Sequence, residues 1–311
     1  MKKVLTIDGG GVKGIFPLSF LSTIEDTIQE KISEYFDLIV GTSTGGIIAL
    51  GLGLGYSSSE ILNFYEELVS DIFSGSHWFN NFKHLFISRY NPNPLKTSLE
   101  SIFGDIRLGE SKKRLVIPSM NLETGEVYLY KTSHHPRFER DYKTKVVDIA
   151  LATASAPTYF PAFRSRDGIP LVDGGVWANN PTIVGVVEAK GVLDWDLSEV
   201  QLLSLGCTKE SININWARRF PLGLGYWAVN IVNLILSGQS SGSNGMSKLL
   251  LGQQNFFRYN PISPKGRFKI DKISEIQSLK GLGASEARKA LPQIKPLFFS
   301  NKVQEFIPCN N

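Results

Sequence analysis

The chain has 311 residues, 42% of them hydrophobic and 20% charged, with a net charge of +4. That length can bury a large core as one α/β domain or as two small ones. The mild positive charge suits an anionic lipid surface and does not call for nucleic acid.

Near the start, Asp8 interrupts the apolar run that follows Lys2 and Lys3, so no signal peptide is read there. Cys207 and Cys309 form no C-x-x-C pair and read as free thiols of a reducing compartment. The chain is therefore expected to be soluble and cytoplasmic. Residues 3–7 read as a strand. Asp8-Gly9-Gly10-Gly11-Val12-Lys13-Gly14 follows as a turn, and apolar spacing through Leu18, Leu21, Ile24 and Ile28 predicts a helix over about 16–31. Residues 35–40 read as a buried strand leading into Gly41-Thr42-Ser43-Thr44-Gly45 and then an apolar helix. A helix is predicted over 61–69, opened by Ser57 to Glu60. Residues 74–95, rich in aromatics, asparagine and proline, read as an insertion packed on the core or as a mobile cover beside a site.

Residues 114–121 and 127–131 read as strands around a turn at 123–126, and 147–154 as a short alanine-rich helix ended by Pro157 and Pro161. A strand over 169–172 leads into Asp173-Gly174-Gly175; a helix follows at 184–190 and a strand at 200–206. Alternating strands and helices imply an α/β fold with a mostly parallel central sheet. Beyond Gly206 lie an uncharged run over 220–243, centred on 222–236, and a basic tail including Arg267, Lys269, Lys272 and Lys280. Pro221, Asn230, Asn233 and several glycines make the run a poor membrane span. A buried core helix is the commoner reading; an acyl-chain wall or a membrane-facing helix is the alternative.

The chemistry centres on Ser43. Strand, glycine turn and helix around G-x-S-x-G are the setting of a nucleophile elbow, with Gly41 and Gly45 permitting the sharp turn. A serine needs a base. The four histidines (His77, His84, His134, His135) all precede Asp173, which argues against a triad in the order serine, acid, histidine. A carboxylate is then the direct base, and Asp173 is the best candidate because it ends a strand in a tight Gly174-Gly175 turn, where open α/β sheets place their sites. Partial burial would lift its pKa from near 4; an Asx turn at the strand end is the structural alternative. Gly9, Gly10 and Gly11 offer bare backbone N–H groups at a strand-to-helix junction, suited to an oxyanion. Gly9, Gly11 and Gly14 also fit the dinucleotide pattern G-x-G-x-x-G, but no acid stands at the end of the second strand about 20 residues on. No metal-ligand constellation is read.

Asp8 to Gly14, Gly41 to Gly45 and Asp173 to Gly175, in that order and spacing, resemble the patatin-like phospholipase family. Residues 154–161 (ASAPTYFP) and 177–181 (WANNP) are similar to it as well, so that the resemblance spans roughly residues 3–190. It implies a three-layer α/β/α fold and a Ser-Asp dyad without histidine: Ser43 as nucleophile, Asp173 as base, and Gly9, Gly10 and Gly11 as oxyanion hole. Lys13 fills the family's Arg or Lys position. The implied activity is hydrolysis of membrane phospholipid esters at the sn-1 or sn-2 position, at the membrane surface, with no metal or other cofactor. A single domain over 1–311 is expected, its motifs within about 3–206. A narrower resemblance is to cyclic-nucleotide-activated phospholipase effectors of antiphage defence, with residues after Gly206 or within 74–95 sensing the nucleotide. A nucleotide-binding module built on Gly9 to Gly14, a non-phospholipid esterase and a non-catalytic lipid-binding protein are the competing expectations.

Overall fold

The computed structural model describes residues 1–73, 88–210, 224–264 and 266–310, without the side chains of Phe73 and residues 224–230. The first half comprises β1 (Lys2–Ile7), α1 (Ile15–Ile28), β2 (Leu38–Gly41), α2 (Thr44–Gly53), α3 (Ser58–Phe73), α4 (Pro92–Phe103), β3 (Arg114–Asn121), β4 (Val127–Lys131) and α5 (Val146–Ala154). Then come β5 (Phe163–Arg164), β6 (Pro170–Asp173), α6 (Gly175–Ala178), α7 (Thr182–Gly191), β7 (Val200–Leu205) and β8 (Lys209–Glu210). The last elements are α8 (Leu224–Leu251), β9 (Phe256–Tyr259), β10 (Ile262–Ser263) and α9 (Ile276–Phe298).

Strands β3, β2, β1, β7 and β9 lie side by side in that order and run parallel. Alternate residues of each strand face opposite sides, and each side has its own apolar layer. Leu5, Ile7, Ile39, Leu115, Ile117, Leu203 and Leu205 pack under α1 to α5 and α9. Val4, Leu38, Val40, Val116, Val200 and Leu202 pack under α7 and the end of α8. The fold is thus the expected α/β/α sandwich.

One detail of the sheet creates the site. Val116 of β3 pairs with both Val40 of β2 and Lys131 of β4, so β2 and β4 occupy opposite edges of β3. Ser119 of β3 pairs with both Tyr128 of β4 and Asp173 of β6, so β6 lies on the edge that β2 occupies. Since β2 is parallel to β3 and β6 antiparallel, the two strands point at each other and their last residues, Gly41 and Asp173, meet across the middle of β3. Asp173 ends its strand as expected, but it comes to the site from the opposite direction.

Several element boundaries differ from expectation. Helix α1 stops at Ile28, short of residue 31, because Gln29 takes a left-handed φ of 58° and its N–H closes on the Glu25 carbonyl at 2.8 Å. The strand expected from residue 35 begins at Leu38, since Ile32–Tyr35 forms a 3₁₀ turn. Most of the 74–95 insertion lies outside the described residues, but its end opens α4. Asn91 caps that helix by accepting the Asn93 N–H at 3.0 Å, and Pro92 stands in the first turn, where it lacks no hydrogen bond. Asparagine and proline there are a helix start, not irregular chain.

The largest correction concerns the apolar run. The part with described side chains does not make a buried core helix: Ile231, Val232, Leu234 and Ile235 are exposed on α8. No helix of the described residues is long and apolar enough to cross a membrane. The basic tail, by contrast, is integrated. Helix α9 lies along α1, Gly283 fits against the Phe16 carbonyl, and Phe298 and Phe299 pack on Phe36. Lys3 Nζ donates to the carbonyls of Phe298 and Asn301, both at 2.7 Å.

Candidate active site

Ser43 stands between β2 and α2, half-buried, with φ 56° and ψ −123°. A non-glycine residue in that region is strained by about 1–3 kcal/mol and persists only where its surroundings enforce it. Here they do. The Ser43 N–H donates to Thr153 Oγ1 at 3.0 Å, and Thr153 Oγ1 in turn donates to the Pro118 carbonyl at 2.6 Å. The Ser43 carbonyl accepts the Ile47 N–H at 3.1 Å. Gly41 and Gly45 are sterically required, since a Cβ on Gly41 would lie 2.0 Å from the Gly45 carbonyl oxygen and one on Gly45 2.3 Å from that of Ile7.

Asp173 is buried; its carboxylate accepts the Gly175 N–H at 2.6 Å, and the Ser43 hydroxyl lies close enough to favour its charged form. Burial raises its pKa to about 6, against the pull of the Ser43 hydroxyl and the Gly175 N–H. Gly174 lets the turn press onto β3: a Cβ there would lie 2.4 Å from the Pro118 carbonyl oxygen. Thr153 and Gly174 therefore converge on one carbonyl of β3 and bring nucleophile candidate and base candidate together.

The three glycines after β1 differ in what they offer. The Gly9 N–H is committed to the Asn179 carbonyl at 2.9 Å, and the missing side chain leaves room for Ser43 beside it. The N–H groups of Gly10 and Gly11 have no acceptor among the described residues. The Gly11 carbonyl accepts from Tyr65 Oη at 3.0 Å and Thr44 Oγ1 at 3.2 Å, which fixes the loop from below. A Cβ on Gly10 would sit 2.4 Å from Cys207 Cβ, one on Gly11 2.4 Å from Ile270 Cγ2, and one on Gly14 2.0 Å from Thr44 Cγ2. Those glycines are packed against protein, which disfavours a dinucleotide pyrophosphate lying along them.

Asp8, just before the loop, is buried and paired with Arg258 of β9, whose Nη1 and Nη2 reach its two oxygens at 3.0 and 2.5 Å. Burial pushes the Asp8 carboxyl up while the guanidinium opposes it. Arg258 Nη1 also donates to Ser204 Oγ at 2.6 Å.

The described histidines hold other positions. His134 is buried between Thr132 Oγ1 at 2.9 Å and Glu188 Oε1 at 2.8 Å, and burial lowers its pKa. Glu188 also receives Lys131 Nζ at 2.5 Å; burial pushes its carboxyl up, but the bonds from His134 and Lys131 hold it low. His135 packs on Phe138. His77 and His84 lie outside the described residues.

Sequence reasoning assigned no role to Thr153, Asn179, Asn180 or Arg258. Asn179 and Asn180 stood in a stretch marked by resemblance alone. Thr153 and Arg258 carried no signal, because their partners are 110 and 250 residues away in the chain.

A serine on a strand–turn–helix elbow, next to a buried carboxylate and a loop with free N–H groups, is the layout of an acyl hydrolase. The sequence model of the patatin-like phospholipase family matches residues 5–185, and the chain belongs to that family of lipid ester hydrolases. It is 33% identical over 303 residues to a protein of Pseudomonas aeruginosa named cGAMP-activated phospholipase, covering 95% of this chain and 90% of that one. Proteins of the same name from Escherichia coli and Vibrio cholerae are 37% and 34% identical, over 68% and 80% of this chain and 64% and 76% of their own.

Proposed function

We propose that Ser43 and Asp173 are the catalytic dyad of a phospholipase. Asp173 takes the Ser43 hydroxyl proton as Oγ attacks an ester carbonyl. The N–H groups of Gly10 and Gly11 hold the oxyanion, with the start of α2 adding its dipole. Collapse of the intermediate expels the alcohol, which receives the proton from Asp173, and leaves the acyl group on Ser43. Asp173 then takes a proton from water, the hydroxide cleaves the acyl ester, and Ser43 regains its proton. The observation that carries this reading is the Ser43 hydroxyl beside a buried carboxylate of pKa about 6, a base matched to neutral pH. Hydrolysis of phosphatidylglycerol–phosphatidylethanolamine vesicles tests it. Ser43→Ala and Asp173→Asn are each expected to lose activity while keeping the fold, and full activity in either variant sinks the dyad.

The same reading makes the chain a cyclic-nucleotide-switched effector of antiphage defence that works at a membrane surface in the cytoplasm. Its support is the relative from Pseudomonas aeruginosa, whose match extends over 95% of this chain and so well beyond residue 185. One domain over 1–311 suits the placement of α9 on α1 and of β9 in the central sheet. The exposed Ile231, Val232, Leu234 and Ile235 suit a lipid surface. Adding a panel of cyclic dinucleotides to the vesicle assay identifies the activator.

A further inference from the structure

The turn at residues 178–180 touches each part of the proposed machinery. The Asn179 carbonyl holds the Gly9 N–H at 2.9 Å. The Ala178 carbonyl accepts from Thr42 Oγ1, beside Ser43, at 2.7 Å. Asp173 is joined to the turn through the single short helix α6. Displacing this turn therefore moves the oxyanion loop and the nucleophile's neighbour together.

Asn180 anchors the turn, and it is fully buried. Its N–H donates to Gln239 Oε1 at 3.1 Å, and its carbonyl accepts from Gln239 Nε2 at 3.0 Å and Ser243 Oγ at 3.1 Å. Its Nδ2 donates to Asn244 Oδ1 at 2.8 Å and reaches both the carbonyl and the hydroxyl of Ser240 at 3.2 Å. Its Oδ1 accepts from the Thr182 N–H at 3.1 Å and from the Thr182 hydroxyl. Thr182 Oγ1 meets Ser204 Oγ at 2.9 Å, and Ser204 meets Arg258, which holds Asp8. A continuous polar chain thus runs from α8 through Asn180 to the residue that precedes the glycine loop.

Four of these partners, Gln239, Ser240, Ser243 and Asn244, belong to α8, which lies outside the family match at 5–185. Polar side chains that satisfy one buried asparagine so completely fix its geometry more narrowly than aliphatic packing does. We propose that Asn180 is a positioning residue and that the polar face of α8 sets the oxyanion loop through it. The proposal rests on the reading of Gly10 and Gly11 as oxyanion donors.

An interaction that only positions the oxyanion loop acts on the transition state, so its loss lowers kcat and leaves KM in place. The test uses the full chain on phosphatidylglycerol–phosphatidylethanolamine vesicles, with the cyclic dinucleotide that gives the highest wild-type rate, well below every variant's Tm. The double variant Gln239→Leu/Asn244→Ala is expected to lose about tenfold or more in kcat with KM changed less than about twofold. Asn244→Asp keeps an acceptor for Asn180 Nδ2 and is expected to stay within about twofold of wild type. Ile294→Ala, in the core of α9, serves as the stability control and is expected to lower Tm without lowering kcat. Wild-type kcat in the double variant, or a kcat that simply follows Tm through Ile294→Ala, overturns the proposal and leaves the dyad standing. A wild type no faster than Ser43→Ala in every arm overturns the dyad and the proposal with it.

Discussion

Replacing Asp173 by asparagine should stabilise the protein at alkaline pH while removing its activity. Burial raises this carboxyl from its ordinary value near 3.8 to about 6. The folded protein thus binds the proton more tightly than the unfolded chain, and the charged carboxylate works against the fold. The sign follows from that. The contribution of Asp173 to stability is fully present below about pH 3.8, is lost as pH rises through about 6, and is absent at pH 8. A shift of about 2 pH units corresponds to ~3 kcal/mol. Asparagine cannot ionise, and its Oδ1 can still accept the Gly175 N–H, so Asp173→Asn escapes most of this cost. For a chain of this length ~3 kcal/mol corresponds to about 5 °C in Tm. Thermal unfolding of both proteins at pH 8 and pH 4 is the assay: the variant is expected to melt higher at pH 8, with the difference closing at pH 4. Wild-type kcat/KM should fall about tenfold per pH unit below about pH 6, as the base becomes protonated. An equal Tm difference at both pH values, or an acid limb near pH 4, would refute the argument that burial tunes this carboxylate.

Arg258→Met leaves Asp8 buried without its bidentate partner and should destabilise the fold by about 3–5 kcal/mol, read as a lower Tm, with Asp8→Asn in the same chain recovering part of the loss. Cys207 is buried, and burial pushes its thiol up to about 12, whereas Cys309 is exposed. A thiol-reactive dye at pH 8 should therefore label Cys309 alone in the native protein and both cysteines once it is unfolded; rapid labelling of Cys207 in the native state would contradict its packing against Gly10.

The parts of the site that were legible in the sequence are those whose chemistry is local. Gly41 to Gly45 declares a sharp turn because only glycine fits where the neighbouring carbonyls come so close, and Asp173-Gly174-Gly175 declares a strand end in the same way. Contacts made across the sheet were not legible. Thr153 holds the strained Ser43 backbone from 110 residues away, and nothing in the residues around Thr153 marks it. The 220–243 run misled because apolar composition says that a segment avoids water without saying what covers it. Residues 231–235 of α8 are exposed round more than a full turn, and the helix meets Asn180 only further on, through Gln239 to Asn244.

Among the described residues no histidine stands beside Ser43, and the geometry of β2 and β6 accounts for it. Two strands that point at each other along one edge of β3 bring Ser43, just past the end of β2, beside Asp173, the last residue of β6. In the proposed dyad the carboxylate acts directly, and a pKa lifted toward neutrality makes it a better base. The same arrangement lifts it, because Asp173 is buried where the two strand ends meet. The Ser43 hydroxyl and the Gly175 N–H offset the burial only in part, so the pKa stops near 6 instead of rising far above it. Placement and basicity therefore have one structural cause, and a change that opened the strand ends to water would weaken both at once.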